Sequence, residues 1–153
     1  MTEEEKTLIR DSFAKAATDP QAVAAMFYGR LFAVAPEVLS LFKGDMNAQG
    51  RKLMAMIGTA VRNLDRLDAV VPAVRELGQR HVAYGARPEH YPVVGEALLW
   101  TLEQGLGEDF TPATKAAWTT CYTTLATVMQ EGAGMQEGTA MQEGAGQTEA
   151  AAG

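Results

Sequence analysis

The chain has a single cysteine, Cys121, so it forms no internal disulfide and offers no cysteine cluster to a metal. It has two histidines, His81 and His90, and chemistry that needs imidazole falls to one of them. Basic residues are the minority: 13 Lys and Arg stand against 19 Asp and Glu, for a net charge of −6. That balance argues against a nucleic-acid binder and against adhesion to anionic membranes. No apolar run approaches the roughly 20 residues that span a bilayer. The start, Met1-Thr-Glu-Glu-Glu-Lys6, lacks the basic-then-apolar order of a signal peptide, so a cytoplasmic setting is expected. Sustained period-2 alternation and Asn-Gly turns are missing, which excludes a β architecture. Nor does any Ser–His–Asp arrangement or carboxylate pair stand out from ordinary surface charge. What is present, 47% hydrophobic and 21% charged over 153 residues, suits one soluble domain with a real core.

The composition shifts near the C-terminus. From Met129 the sequence reads MQEGAG, MQEGTA, MQEGAG, then QTEAAAG, a hexamer in three copies. Residues 132–153 hold six Gly, three Glu and no basic residue, which leaves residues 1–131 at −3. Three short copies with one Met each and little β-branching cannot build the continuous core of a β-helix. The composition instead predicts a domain over 1–131 and a flexible low-complexity tail over 132–153, with the last helix fraying near Glu131.

Residues 1–131 read as one helix after another. Thr2 and Glu5 fit a capping box ahead of Leu8, Ile9 and Phe13. Asp19-Pro20 opens a helix carrying Val23, Phe27, Leu31 and Val34 at helical spacing. Pro36 starts a short helix through Val38, Leu41 and Phe42, and Lys43 to Ala48 reads as a loop. From Gln49 a longer helix presents Leu53, Met56, Ile57, Ala60, Val61 and Leu64. Asp68 and Pro72 open the next, with Val74, Leu77, His81 and Tyr84, stopped at Gly85. Pro92 lies in the first turn of a helix ending at Gly105 or Gly107, and Thr111-Pro112 starts the last. The fold is therefore expected to be all-α: a bundle, a helical adaptor, or an array around a cofactor.

Particular residues narrow that choice. Leu77 and His81 are i and i+4 on one apolar stripe. Two readings stand: a core histidine bonded to a backbone carbonyl, or a haem iron ligand whose Nδ1–H donates to the Leu77 carbonyl. Gln49 and Leu53 share a face of the preceding helix. Tyr28 lies in an apolar run beside Phe27, either as a core aromatic or as a hydroxyl aimed at a ligand on the iron, where superoxide-like charge rewards a donor in a dry pocket. Phe42 either caps the core or wedges against a flat macrocycle.

The run Phe27-Tyr28-x-x-Leu31-Phe32 with Pro36 and Leu41-Phe42, the stretch Gln49-x-Arg51-Lys52-Leu53-Met54, Leu77-Gly78-x-x-His81, His90-Tyr91-Pro92-Val93-Val94-Gly95 and Ala117-Trp118 follow one another in order. Together they resemble the haemoglobin domain of flavohaemoglobins and the single-domain bacterial haemoglobins, over roughly residues 3–130. The resemblance implies a globin fold, three helices on three around haem b. It implies His81 as proximal iron ligand, Tyr28 and Gln49 as the distal pair, Leu53 above the iron and Phe42 on the haem edge. Tyr91 matches a proximal-side tyrosine and Val94 a residue lining the haem. Lys52, Arg51 and Arg80 are candidates for the propionates, against the plainer reading of solvated charge.

The chain also departs from the pattern. The family places a glutamate late in the last helix, in a network with the tyrosine and the proximal histidine; here that stretch reads Gly132-Ala133-Gly134, and Glu131 is not assigned the role. A missing carboxylate makes the histidine less anionic and weakens peroxide chemistry. No Rossmann-type glycine motif follows a strand, so an electron for turnover is expected from a separate reductase. Cys121 reads as an inert packed thiol and His90 as a helix-entry residue.

Three functions follow as expectations. The first is reversible dioxygen binding for storage or transport, with Tyr28 and Gln49 stabilising the ligand. The second, which leaves enzymatic activity open, is nitric oxide dioxygenation with an external reductase, a route to nitric oxide detoxification. The third is haem-based gas sensing, which the lack of a fused output domain disfavours, or a haem-free interaction module, which the intact His81 disfavours. Neither nucleic acid nor membrane is an expected partner, and oligomeric state is open.

Overall fold

In the computed structural model, α1 (Glu3–Ala16) begins where local chemistry demands it. The Thr2 hydroxyl accepts from the Glu5 amide at 3.1 Å, and the Glu5 carboxylate accepts from the Thr2 amide at 2.8 Å. This closes the expected capping box. For α2 (Pro20–Val34), Asp19 caps by accepting from the Ala22 amide at 3.2 Å, ahead of Pro20. A 3₁₀ turn spans Pro36–Leu41 and delivers Phe42 in extended backbone. The remaining helices are α3 (Met46–Arg62), α4 (Leu67–Tyr84), α5 (His90–Leu106) and α6 (Pro112–Glu137). Two further 3₁₀ turns, Leu64–Arg66 and Gly107–Asp109, connect them. The structure describes residues 1–137; among these no strand occurs, and the tail expected over the rest of the repeat lies outside the described residues.

Three boundaries differ from the sequence reading. α3 starts at Met46 rather than Gln49, because the Asp45 carboxylate caps it by accepting from the Asn47 amide at 2.9 Å. α4 starts at Leu67, which puts Pro72 inside the helix rather than at its opening. Buried Leu64 and the packed Leu67 hold the 3₁₀ turn and the first turn of α4 against one core cluster, drawing the start back. α6 runs six residues past Glu131, to Glu137. There Gly132 is buried against the backbone of α4 at Arg75.

The helices stack three on three, α1, α3 and α4 against α2, α5 and α6. Packing is closest for α4 on α6, α2 on α5, α1 on α6 and α2 on α3. Two clusters form the core. Ile9, Val61, Leu64, Leu102, Trp118 and Cys121 anchor one end; Ala24, Phe27, Tyr28, Leu31, Leu53 and Ala97 anchor the other. The polar atoms taken into the first cluster are satisfied: buried Trp118 Nε1–H donates to Ser12 Oγ at 2.8 Å, and Ser12 Oγ–H to the Leu8 carbonyl at 2.6 Å. At the surface, Arg30 on α2 pairs with Glu96 on α5 at 2.6 Å and stacks 5.1 Å over the Trp100 ring.

Candidate functional site

α3 packs on α2 while α4 packs on α6, so the two helices diverge. The space between them is a cleft of about 890 Å³. Gln49, Leu53 and Met56 reach it from α3; Val74, Leu77, His81 and Tyr84 reach it from α4; Leu41 and Phe42 close one end. Its size matches the upper range of small-molecule and cofactor pockets. Gly50, next to Gln49, lets α3 settle on Ala24 of α2, where a Cβ would stand 2.8 Å from the Ala24 Cβ. That close approach sets the position of the Gln49 wall.

His81 is 5% exposed and lies on the cleft. Its Nδ1 is 2.7 Å from the Leu77 carbonyl oxygen. A carbonyl only accepts, so Nδ1 carries the proton and Nε2 is the basic nitrogen of the neutral ring. This is the tautomer that a metal-ligating imidazole requires. Just beyond, Gly85 ends α4 with φ 105°, a left-handed conformation suited to glycine, and the Ala86 amide returns to the His81 carbonyl at 2.9 Å.

Across the cleft, Tyr28 is buried behind Phe42. Its ring meets Phe42 edge-on at 5.4 Å, Phe27 at 4.9 Å and Phe32 at 5.9 Å. The ring is thus fixed on three sides, while the buried hydroxyl closes no hydrogen bond of standard geometry with any described residue. Burial pushes its pKa up to about 12, and the neighbouring Gln49 side chain opposes the rise. The hydroxyl is therefore a neutral donor at physiological pH. A buried donor beside Gln49 and behind Phe42, with a histidine in its metal-binding tautomer on the cleft, suits a cofactor that carries a ligand.

Lys43, Lys52 and Arg80 line the same cleft, and no carboxylate does among the described residues. These cations fit the acidic substituents of a haem. Arg51, the other candidate from the sequence, does not line the cleft, and Lys43 was not anticipated; its position directly after Phe42 was the available signal. Tyr84 belongs to the apolar stripe of α4. It stands at the mouth, 57% exposed, with its ring centroid 6.0 Å from that of His81.

The structure brings His81, Gln49, Leu53 and Phe42 onto one cleft, with Tyr28 behind Phe42. It does not bring Tyr91 and Val94 there. Val94 lines a separate apolar cavity of about 40 Å³, behind Leu53, Met56 and Ala60, which face both spaces. Tyr91 is held through its backbone: the Tyr122 hydroxyl donates to the Tyr91 carbonyl at 2.7 Å, over a Gly95 that leaves room for the Tyr122 ring. Glu131 faces Arg75 at 3.4 Å, with both side chains about half exposed. Cys121 lines the small cavity, 2% exposed, with burial pushing its thiol to about 11.

Comparisons with known proteins bear on the family and the fold. The globin family model matches residues 25–129. Neuroglobin-1 of Oncorhynchus mykiss is 32% identical, covering 86% of this chain and 92% of its own length. The flavohemoprotein of Halalkalibacterium halodurans is 30% identical over 84% of this chain, which spans only 32% of that protein. Among solved structures, a bacterial globin from Campylobacter jejuni superposes with a TM-score of 0.78 at 25% identity, covering 90% of this chain and 99% of that one. An engineered carbene transferase from Rhodothermus marinus, named as a presumed nitric oxide dioxygenase, superposes with a TM-score of 0.81 at 28% identity, covering 94% and 99%. With His81 and Gln49 on the two walls of one cleft between α3 and α4, and with this match to the family model and these relatives, the chain belongs to the globin family, whose members bind haem.

Proposed function

We propose that the chain holds haem b in the cleft, with His81 as the proximal iron ligand, and binds dioxygen reversibly. The observation that carries this reading is the placement of His81 on one wall and of Gln49, with buried Tyr28 beside it, on the other. When bound, haem supplies an iron with an open coordination position for a diatomic gas. The Leu77 carbonyl fixes the imidazole tautomer and orientation and raises the basicity of Nε2. Leu53, Met56, Val74 and Leu77 give the cleft an apolar lining that would keep water from a bound haem. Tyr28 keeps its proton and would donate a hydrogen bond to a partly charged bound gas, with the Gln49 amide beside it. Lys43, Lys52 and Arg80, which line the cleft, would pair with the propionates of a bound haem. The test is spectroscopic: ferrous protein should switch between oxygenated and deoxygenated absorption spectra through repeated gas exchange. Immediate oxidation to the ferric form, with no oxygenated spectrum, would count against it.

A second reading is nitric oxide dioxygenation, in which nitric oxide, dioxygen and one electron give nitrate. The Rhodothermus marinus neighbour favours it. It requires an electron-donating reductase as partner. Sustained nitric oxide consumption over many turnovers with a reductase present supports the enzyme; a single stoichiometric turnover supports the binder.

A further inference from the structure

The first copy of the C-terminal hexamer, residues 129–134, is packed into the domain rather than hanging from it. Met129 is 6% exposed and Gly132 is buried. The packing is backbone to backbone and reciprocal. A Cβ on Gly78 of α4 would fall on the carbonyl of Met129 in α6. A Cβ on Gly132 of α6 would fall on the carbonyl of Arg75 in α4. The ion pair between Arg75 and Glu131 brackets the same crossing. Two glycines thus let the helices meet at a distance that no other residue permits, and neither carbonyl is the far end of a side chain that can swing away.

The crossing lies next to the candidate iron ligand. Gly78 is three residues before His81, about one helical turn. Leu77, whose carbonyl orients the imidazole, adjoins Gly78. The adjoining face of α4 lines the cleft through Val74, Leu77 and His81. We propose that Gly78 and Gly132 are positioning residues: the first hexamer copy is the seat on which α4 rests, and its contact sets where His81 stands in the cleft. The inference depends on His81 being the iron ligand, and on nothing else about the gas chemistry.

The seat is testable in the full chain because a matched control exists. Gly134 lies in the same helix, two residues past Gly132, and a Cβ there meets nothing within 4 Å. Gly132→Ala, Gly78→Ala and Gly134→Ala should be loaded with haemin and compared with wild type. Three readouts are needed: the iron–histidine stretching band of the ferrous protein, ferric haem loss to an apoglobin trap, and thermal unfolding without haem. Gly132→Ala and Gly78→Ala should shift the band and speed haem loss about tenfold, equivalent to about 1.4 kcal/mol. Gly134→Ala should keep the wild-type band and rate. A structural role alone would lower the unfolding temperature and leave the band in place, and that result overturns the inference. Should wild type take no haem through His81, the haem reading falls and the inference with it. Should the crossing variants fail to fold, hydrogen exchange on wild type decides. Amides 129–132 should be protected as strongly as Leu77–His81, and fast exchange there as a frayed helix end overturns the inference.

Discussion

Tyr28→Phe separates the ligand-binding role of Tyr28 from a packing role in one substitution. The phenylalanine ring keeps the three aromatic contacts, with Phe27, Phe32 and Phe42. The change is then one hydroxyl, buried and without a standard hydrogen bond to a described residue. Deleting it should alter the stability of the haem-free protein by less than about 1 kcal/mol, because no protein bond is lost. That corresponds to roughly 2–4 °C at most in melting temperature for a domain of this size. The effect on a bound gas is different in kind. A donor in a low-dielectric pocket contributes about 1–3 kcal/mol to a partly charged acceptor, so dioxygen release should quicken by roughly 5- to 150-fold. Stopped-flow displacement of dioxygen by carbon monoxide reads that rate, and circular dichroism reads the melt. An unchanged release rate removes Tyr28 from the distal role. A melting temperature many degrees lower shows that the hydroxyl is engaged within the protein and refutes the reasoning.

Two other perturbations probe the frame around the site. Ser12→Ala leaves buried Trp118 Nε1–H without its acceptor between α1 and α6, and should cost about 1–3 kcal/mol in denaturant unfolding, whereas wild-type stability would show that the bond contributes nothing. Asp65 has its pKa held below the ordinary 3.8 by hydrogen bonds from Lys6 and Arg10. A depressed carboxylate stabilises the fold above its ordinary pKa and loses that contribution as pH falls through the folded value. Wild type should therefore exceed Asp65→Asn slightly at neutral pH and converge with it in acid; a difference independent of pH contradicts this.

Most of the fold was legible because helix starts are local chemistry. Thr2 with Glu5, Asp19 with Pro20, and Thr111 ahead of Pro112 each satisfy orphan amides within one turn. The ends decided by tertiary contact were not legible. Nothing within the first hexamer copy announces that Gly132 abuts Arg75, since the same glycine in isolation favours a frayed end. Asp45 was a readable cap that the neighbouring Gly44 and Asn47 obscured as loop. In the site, His81 with Leu77 and Gln49 with Leu53 followed from i, i+4 spacing, and their meeting on one cleft required the divergence of α3 from α4. Val94 lines the smaller cavity, a placement that its spacing on α5 alone does not give.

The central claim is that His81 ligates haem iron in this cleft. Absorption spectra of purified wild type and His81→Ala, each mixed with haemin and taken in ferric, ferrous and dioxygen-exposed forms, test it most directly. The account predicts a sharp Soret band in wild type that shifts reversibly with dioxygen and is lost or displaced in His81→Ala. Wild type that takes up no haemin, or a His81→Ala spectrum identical to wild type in all three forms, would contradict it.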